Sequence, residues 1–207
     1  MPLAAHIAKQ HKNIIPAQHD LLHKLKNVNP RAFKPAHVGP ITDALTHKNA
    51  ALLIDAHKDT IARSIKHFIN TPGFFPSLQR LFAHASHNAI HFQSSLYELE
   101  QALEIKESDT DERVTGINQF INCPEDIIKK EFDVHTTHGL IECKNIMWPS
   151  CPAFAHHLRA QFEQQHKIVE LLNAHNEKEL YFRICSKERI PNSWRQWFDD
   201  RGISYSR

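Results

Sequence analysis

The sequence predicts an α/β fold preceded by an all-helical stretch, and three observations carry that expectation. Residues up to about Phe92 show helical periodicity cut by six prolines between Pro16 and Pro76. The stretch from Glu131 to Lys144 alternates in the manner of strands around a short turn. A long helical pattern from Ala153 to His175 then leads into the strand-like Leu180 to Ile184. The 207 residues are enough for a compact domain with an extension, and the division is expected as a helical region over 1–92 and an α/β domain over 93–207.

In the first region the clearest period runs from Ile41 to Ile69. Ala44, Leu45, Ala51, Leu52, Ile54, Ile61, Ile65 and Phe68 supply its apolar face, and Thr71-Pro72-Gly73 stops it. A second helix is expected over Ser77–His91 and a third over about Gln93–Lys106, the latter carrying Tyr97, Leu99, Ala102, Leu103 and Ile105. The charged stretch Glu107–Arg113 reads as a loop.

Three strands follow, Val114–Ile121, Glu131–His135 and Leu140–Lys144. The link Thr136-Thr137-His138-Gly139 makes the last two a hairpin, with Gly139 expected at a positive φ. The long helix Ala153–His175 is expected to bury Phe154, Leu158, Phe162, Ile168, Val169, Leu171 and Leu172. After the strand at Leu180–Ile184, Pro191 opens and Gly202 closes a short helix over Asn192–Asp200, and Ile203–Tyr205 forms a last strand. From Gln93 the order is therefore helix, three-stranded meander, helix, strand, helix, strand, an arrangement of helices on a sheet.

Composition excludes several classes. The net charge is +2, so any polyanion-binding surface must be local rather than a property of the whole chain. No apolar run reaches the roughly 20 residues that span a bilayer, and Met1–Lys12 lacks the apolar core of a secretory signal. No membrane is expected among the partners, and the expected location is the cytoplasm, its own or that of a target cell. Cys123, Cys143, Cys151 and Cys185 are scattered without a CxxC pair and read as reduced thiols. Seventeen histidines are an excess, yet pairs such as His84/His87, His135/His138 and His156/His157 have no second pair at finger-like spacing. They read as solvated faces.

The chemistry concentrates in Glu131-Phe132-Asp133-Val134-His135-Thr136-Thr137-His138-Gly139-Leu140-Ile141-Glu142-Cys143-Lys144. Successive strand residues point to opposite sides, so Asp133 shares a face with His135, and Glu142 with Lys144. If Phe132 and Val134 face the same core as Ile141 and Cys143, then Asp133, Glu142 and Lys144 converge on the other side. Two neighbouring carboxylates repel unless a cation lies between them, and a pair of hard oxygen ligands suits Mg²⁺ or Mn²⁺. Such an ion activates water and neutralises charge on a phosphate, while Lys144 orients the water or stabilises the transition state. The alternative is an exposed polar strand face with an ordinary cross-strand ion pair.

At these residues the chain resembles the PD-(D/E)XK nuclease superfamily, in which an aspartate strand turns into an ExK strand. The pattern here is Asp133 followed by Glu142-Cys143-Lys144, with Phe132 where the motif has proline. The wording is closest in style to contact-dependent toxin and resolvase-type members, and the resemblance covers about Gln93 to Tyr205. It implies a restriction-endonuclease-like core and a metal-dependent endonuclease cutting nucleic acid, DNA in preference to RNA. It also implies Mg²⁺ or Mn²⁺ held by Asp133, Glu142 and the Cys143 backbone carbonyl. An acidic residue on the first core helix often joins the metal, which points to Glu98 ahead of Glu100. A glutamine on the long helix often joins the catalytic set, which points to Gln161, with Gln165 as the alternative. Resolvase-like members are often homodimers.

Other residues have plainer readings. His135 shares the catalytic face but is expected to face solvent, and Cys143 to face the core. Trp194, Trp197 and Phe198 are expected to cover the sheet, with Arg195 and Gln196 outward. A nucleic-acid-binding or interaction module that kept the nuclease fold without cutting is the other functional expectation. For the first ninety residues three roles stay open: positioning substrate, holding the domain in a larger toxin or effector, and packing against a cognate inhibitor protein. Their lysines and arginines, Lys24, Lys26 and Lys58 among them, suit nucleic acid or plain solubility.

Overall fold

A computed structural model describes residues 48–122, 129–175 and 179–206. The chain divides into two compact units, Met1–Glu104 and Ile105–Arg207. The division falls inside a helix, twelve residues beyond the expected 92/93 boundary.

The described part of the first unit is helical: α1 (Lys48–Ala56), α2 (Lys58–Phe68), α3 (Phe74–His87) and most of α4 (Ala89–Glu107). The single helix expected over Ile41–Ile69 is two in its described part, because the chain leaves helical geometry at His57 (φ −121°, ψ 17°); residues 41–47 lie outside the described residues. Ile54, Ile61, Ile65, Phe68, Phe74, Leu78, Leu81, Phe82, Phe92, Leu96 and Leu99 form the core of this unit. Leu52, expected in the apolar face, is 60% exposed. Gly73 takes φ 77° at the start of α3, a conformation a side chain would disfavour. The expected helix boundary near His91 lies instead at Asn88, whose Oδ1 accepts the Ile90 and His91 amides, each at 3.1 Å. That cap starts α4 at Ala89.

The second unit is an α/β sandwich half: one five-stranded mixed sheet in the order β1 (Val114–Asn122), β2 (Lys129–Thr136), β3 (Gly139–Lys144), β4 (Tyr181–Ser186), β5 (Ser204–Ser206). The first three strands form an antiparallel meander, and β3, β4 and β5 run parallel. The parallel pairs need crossovers, which α5 (Pro152–His175) and α6 (Asn192–Asp199) supply. The element order is the one expected from the sequence. Phe162, Ile168 and Val169 of α5 and Trp194, Trp197 and Phe198 of α6 share a buried cluster with Leu140, Phe182 and Ile184 of the sheet.

Three expectations are corrected here. Gly139 does not take a positive φ; only Gly73 and Gly202 do among the described glycines. It is glycine because a Cβ there would drive into the Tyr181 ring. The turn is held by Thr136, whose Oγ1 accepts the Gly139 amide at 2.8 Å and the His138 amide at 3.2 Å. Phe154 is 73% exposed rather than buried, while Ala155 and Leu158 of the same first turns are partly buried against the core cluster. Nor does β3 divide into a core face and an open face: as the central strand of the sheet, paired with β2 on one side and β4 on the other, it is buried from Gly139 through Cys143. Among the described residues no helix is long and apolar enough to cross a membrane.

Candidate functional site

Strand register builds the site. Val134 pairs with Ile141 and His135 with Leu140, which brings Asp133, the preceding residue of β2, beside Glu142 and Cys143 of β3. The recorded pairing stops at Val134, where the Asp133 side chain replaces the ladder: its Oδ2 accepts the Cys143 amide at 2.6 Å. On the other side Glu142 pairs with Ile184 and Leu140 with Phe182. Glu142 therefore lies on the face that α5 covers, in line with the apolar core rather than opposite it.

Burying a carboxylate is costly unless its oxygens are bonded. Glu142 is 4% exposed and accepts from three side chains. The Lys144 ammonium, two residues along the same face, pairs with Oε1. Gln161 Nε2 also donates to Oε1, at 3.0 Å, and Gln165 Nε2 donates to Oε2 at 2.6 Å. Gln161 and Gln165 stand one turn apart on α5, so both amides aim at one residue. The expectation of one glutamine with the other as substitute is thus corrected: both engage. Gln165 is the more enclosed, 1% exposed, and its Nε2 also donates to the Glu131 carbonyl at 3.2 Å. Its Oε1 is buried with no hydrogen-bond partner.

Burial by itself lowers the Lys144 pKa, but the Glu142 and Asp133 carboxylates outweigh it and hold the ammonium above its ordinary value. Lys144 is therefore a fixed cation at neutral pH and not a proton acceptor. Its Nζ lies 5.7 Å from the centre of the Phe162 ring, which closes the site toward the aromatic core. His135 is not the solvent-facing residue expected: it is half-buried, 6.1 Å from the Phe132 ring centre, with Nε2 3.2 Å from the Gln119 carbonyl. Burial lowers its pKa and the carbonyl offsets this only in part. The neutral ring donates from Nε2.

Asn118 is a residue that sequence patterning does not point to. Buried in β1, it holds φ 51°, flanked by Ile117 paired with Val134 and Gln119 paired with Phe132. The register thus sets this left-handed residue across from Asp133. Asparagine tolerates that conformation better than other side-chain-bearing residues, and no periodicity announces it. Cys143 and Cys185 are buried and pair across β3 and β4, and neither is in a disulfide. Cys123 lies outside the described residues. Glu98 and Glu100 lie on α4 in the first unit, both half-buried; the cluster around Glu142 is drawn from the second unit alone.

The donors that could hold a cation are the two carboxylates, the Cys143 carbonyl and the Gln165 Oε1. All are hard oxygens. Among the described residues no group of three His, Cys, Asp or Glu side chains is placed as a metal cage, but Mg²⁺ commonly takes one or two carboxylates and completes its shell with water. The donor set fits that ion in chemistry. Comparison of the chain with protein-family models, with curated proteins and with solved structures finds no match.

Proposed function

We propose that the second unit is a Mg²⁺- or Mn²⁺-dependent endonuclease with a restriction-endonuclease-like core, hydrolysing phosphodiester bonds in nucleic acid, DNA before RNA. The observation that carries this reading is the buried Glu142, held by Lys144, Gln161 and Gln165 beside Asp133. Purely structural packing would favour an apolar residue on a central strand. A buried ionised group with this many donors costs stability that function explains more readily than folding does.

Asp133, Glu142 and the Cys143 carbonyl would hold the ion, which when bound supplies an acidic water and a counter-charge for the phosphate. The protein residues do the remainder. Gln161 and Gln165 fix the Glu142 rotamer, so both its oxygens are oriented before substrate arrives. Lys144, held cationic by its neighbours, places positive charge where a pentavalent phosphate develops negative charge. The Cys143 amide fixes Asp133 through Oδ2. Glu98 remains a candidate for the metal set and a homodimer a candidate assembly, both resting on the resemblance alone.

One observation favours a second reading, a nuclease-fold module that binds nucleic acid without cutting. Glu142 is already bonded by an ammonium and two amides, a closed network that could serve as a structural plug. Incubation of the purified chain with plasmid DNA and with RNA, in Mg²⁺, in Mn²⁺ and in a chelator, separates the two. The nuclease reading predicts metal-dependent cleavage of DNA that Lys144→Ala abolishes. Cleavage that persists in Lys144→Ala would remove this site from the reaction.

A further inference from the structure

Resting on the nuclease reading, we propose that the nucleic-acid strand entering this centre is unpaired where it is cut, with its bases stacking on Phe154 and Met147 and its phosphates on Lys187 and Arg189. The loop over 145–151 leaves β3 directly after Lys144 and leads into α5. Trp148 ties that loop to the end of β4, its Nε1 donating to Ser186 Oγ at 3.1 Å. The next residue, Lys187, bonds back to the Lys144 carbonyl at 3.0 Å. Both loops therefore sit at the carboxyl ends of the parallel strands β3 and β4, where sheets of this kind leave room for ligands.

Three large apolar side chains of this unit are exposed among the described residues, Phe120, Met147 and Phe154, and two of them stand at this end. Met147 is 90% exposed. Phe154 lies seven residues before Gln161, which places it on the same stripe of α5, about 10 Å nearer the helix start. That stripe runs from an open aromatic ring to the amides that hold Glu142. The Phe162 ring carries Lys144 Nζ and has the Trp148 ring centre 6.4 Å away, so the loop over 145–151 packs beside the Glu142 cluster. Lys187 and Arg189 are exposed on the β4–α6 loop, with Glu188 between them as the one acid. An apolar platform beside cations is the pattern that binds unpaired strands, because a base offers its π-face only when it is not paired within a duplex.

The test is fluorescence anisotropy of the full chain with a labelled oligonucleotide in chelator, so that binding is read without cleavage. The probes are a single strand, its duplex and an abasic strand of equal length; the variants are Phe154→Ala/Met147→Ala and Phe154→Trp. The single strand is expected to bind tighter than the duplex. Loss of the bases, or the double alanine variant, should weaken binding roughly tenfold or more, while Phe154→Trp retains it. Equal or tighter binding of duplex, no binding of any probe, or an unchanged double variant would overturn the proposal, the last leaving the apolar lip to a protein partner. Binding as expected from a chain that never cleaves would fail the nuclease reading alone.

Discussion

Replacing Gln165 by leucine removes two hydrogen bonds at a position with almost no solvent access. The bond to Glu142 Oε2 is short, 2.6 Å, and its acceptor is charged, which makes it worth about 1.5–3 kcal/mol. The bond to the Glu131 carbonyl, at 3.2 Å, adds about 0.5–1.5 kcal/mol. Against this, leucine removes an amide oxygen that is buried without a partner, a relief on the order of 1 kcal/mol. The net expectation is a loss of about 1–3.5 kcal/mol, or roughly 2–14 °C in Tm for a chain of this length. Gln161, half-buried and making one such bond at 3.0 Å, should lose about half as much in the same substitution. Urea denaturation followed by tryptophan fluorescence reads the second unit selectively, since Trp148, Trp194 and Trp197 all lie there. A Gln165→Leu chain as stable as wild type, or less affected than Gln161→Leu, would refute the claim that these amides hold a buried carboxylate.

Further expectations follow from the same geometry. Gly139→Ala should destabilise by about 1–3 kcal/mol through overpacking, and Tyr181→Ala in the same chain should recover part of that loss because the ring is the obstacle; thermal melts of the single and double variants check this. His135 has a lowered folded pKa, so the unfolded chain binds its proton more readily and stability is lost as pH falls below the ordinary histidine value. His135→Gln should flatten the dependence of urea midpoint on pH in the mildly acidic range. Lys144 has a raised pKa, so its contribution is fully present below the ordinary lysine range and lost only as pH rises above it. Cleavage should therefore show no decline assignable to Lys144 between neutral pH and the ordinary lysine value.

Much of this was legible in the sequence because period-2 alternation is a local property. Asp133, Glu142 and Lys144 could be set on a hairpin from residue types alone, and the helix and strand order after Gln93 followed from caps, turns and periodicity. What failed depended on tertiary partners. Phe154 fits the stripe of α5, yet its ring is exposed while Ala155 and Leu158 beside it pack on the core, and spacing cannot say where a neighbour stops. Gly139 reads as a turn glycine, but its reason is the Tyr181 ring, forty-two residues later and one strand away. The break at Asn88 was hidden inside apolar residues that continue on both sides. Glutamines at 161 and 165 could be seen to share a helix face, but not that both would reach one oxygen pair.

The most direct measurement of the central claim is a Mn²⁺ titration of the full chain, by calorimetry or by loss of the free-ion EPR signal, for wild type, Asp133→Asn and Glu142→Gln. The account predicts that wild type binds the ion and that either substitution, each of which removes one carboxylate while keeping its shape, abolishes or strongly weakens that binding. Mn²⁺ binding that is unchanged in both variants, or absent from wild type even when nucleic acid is present, would contradict it.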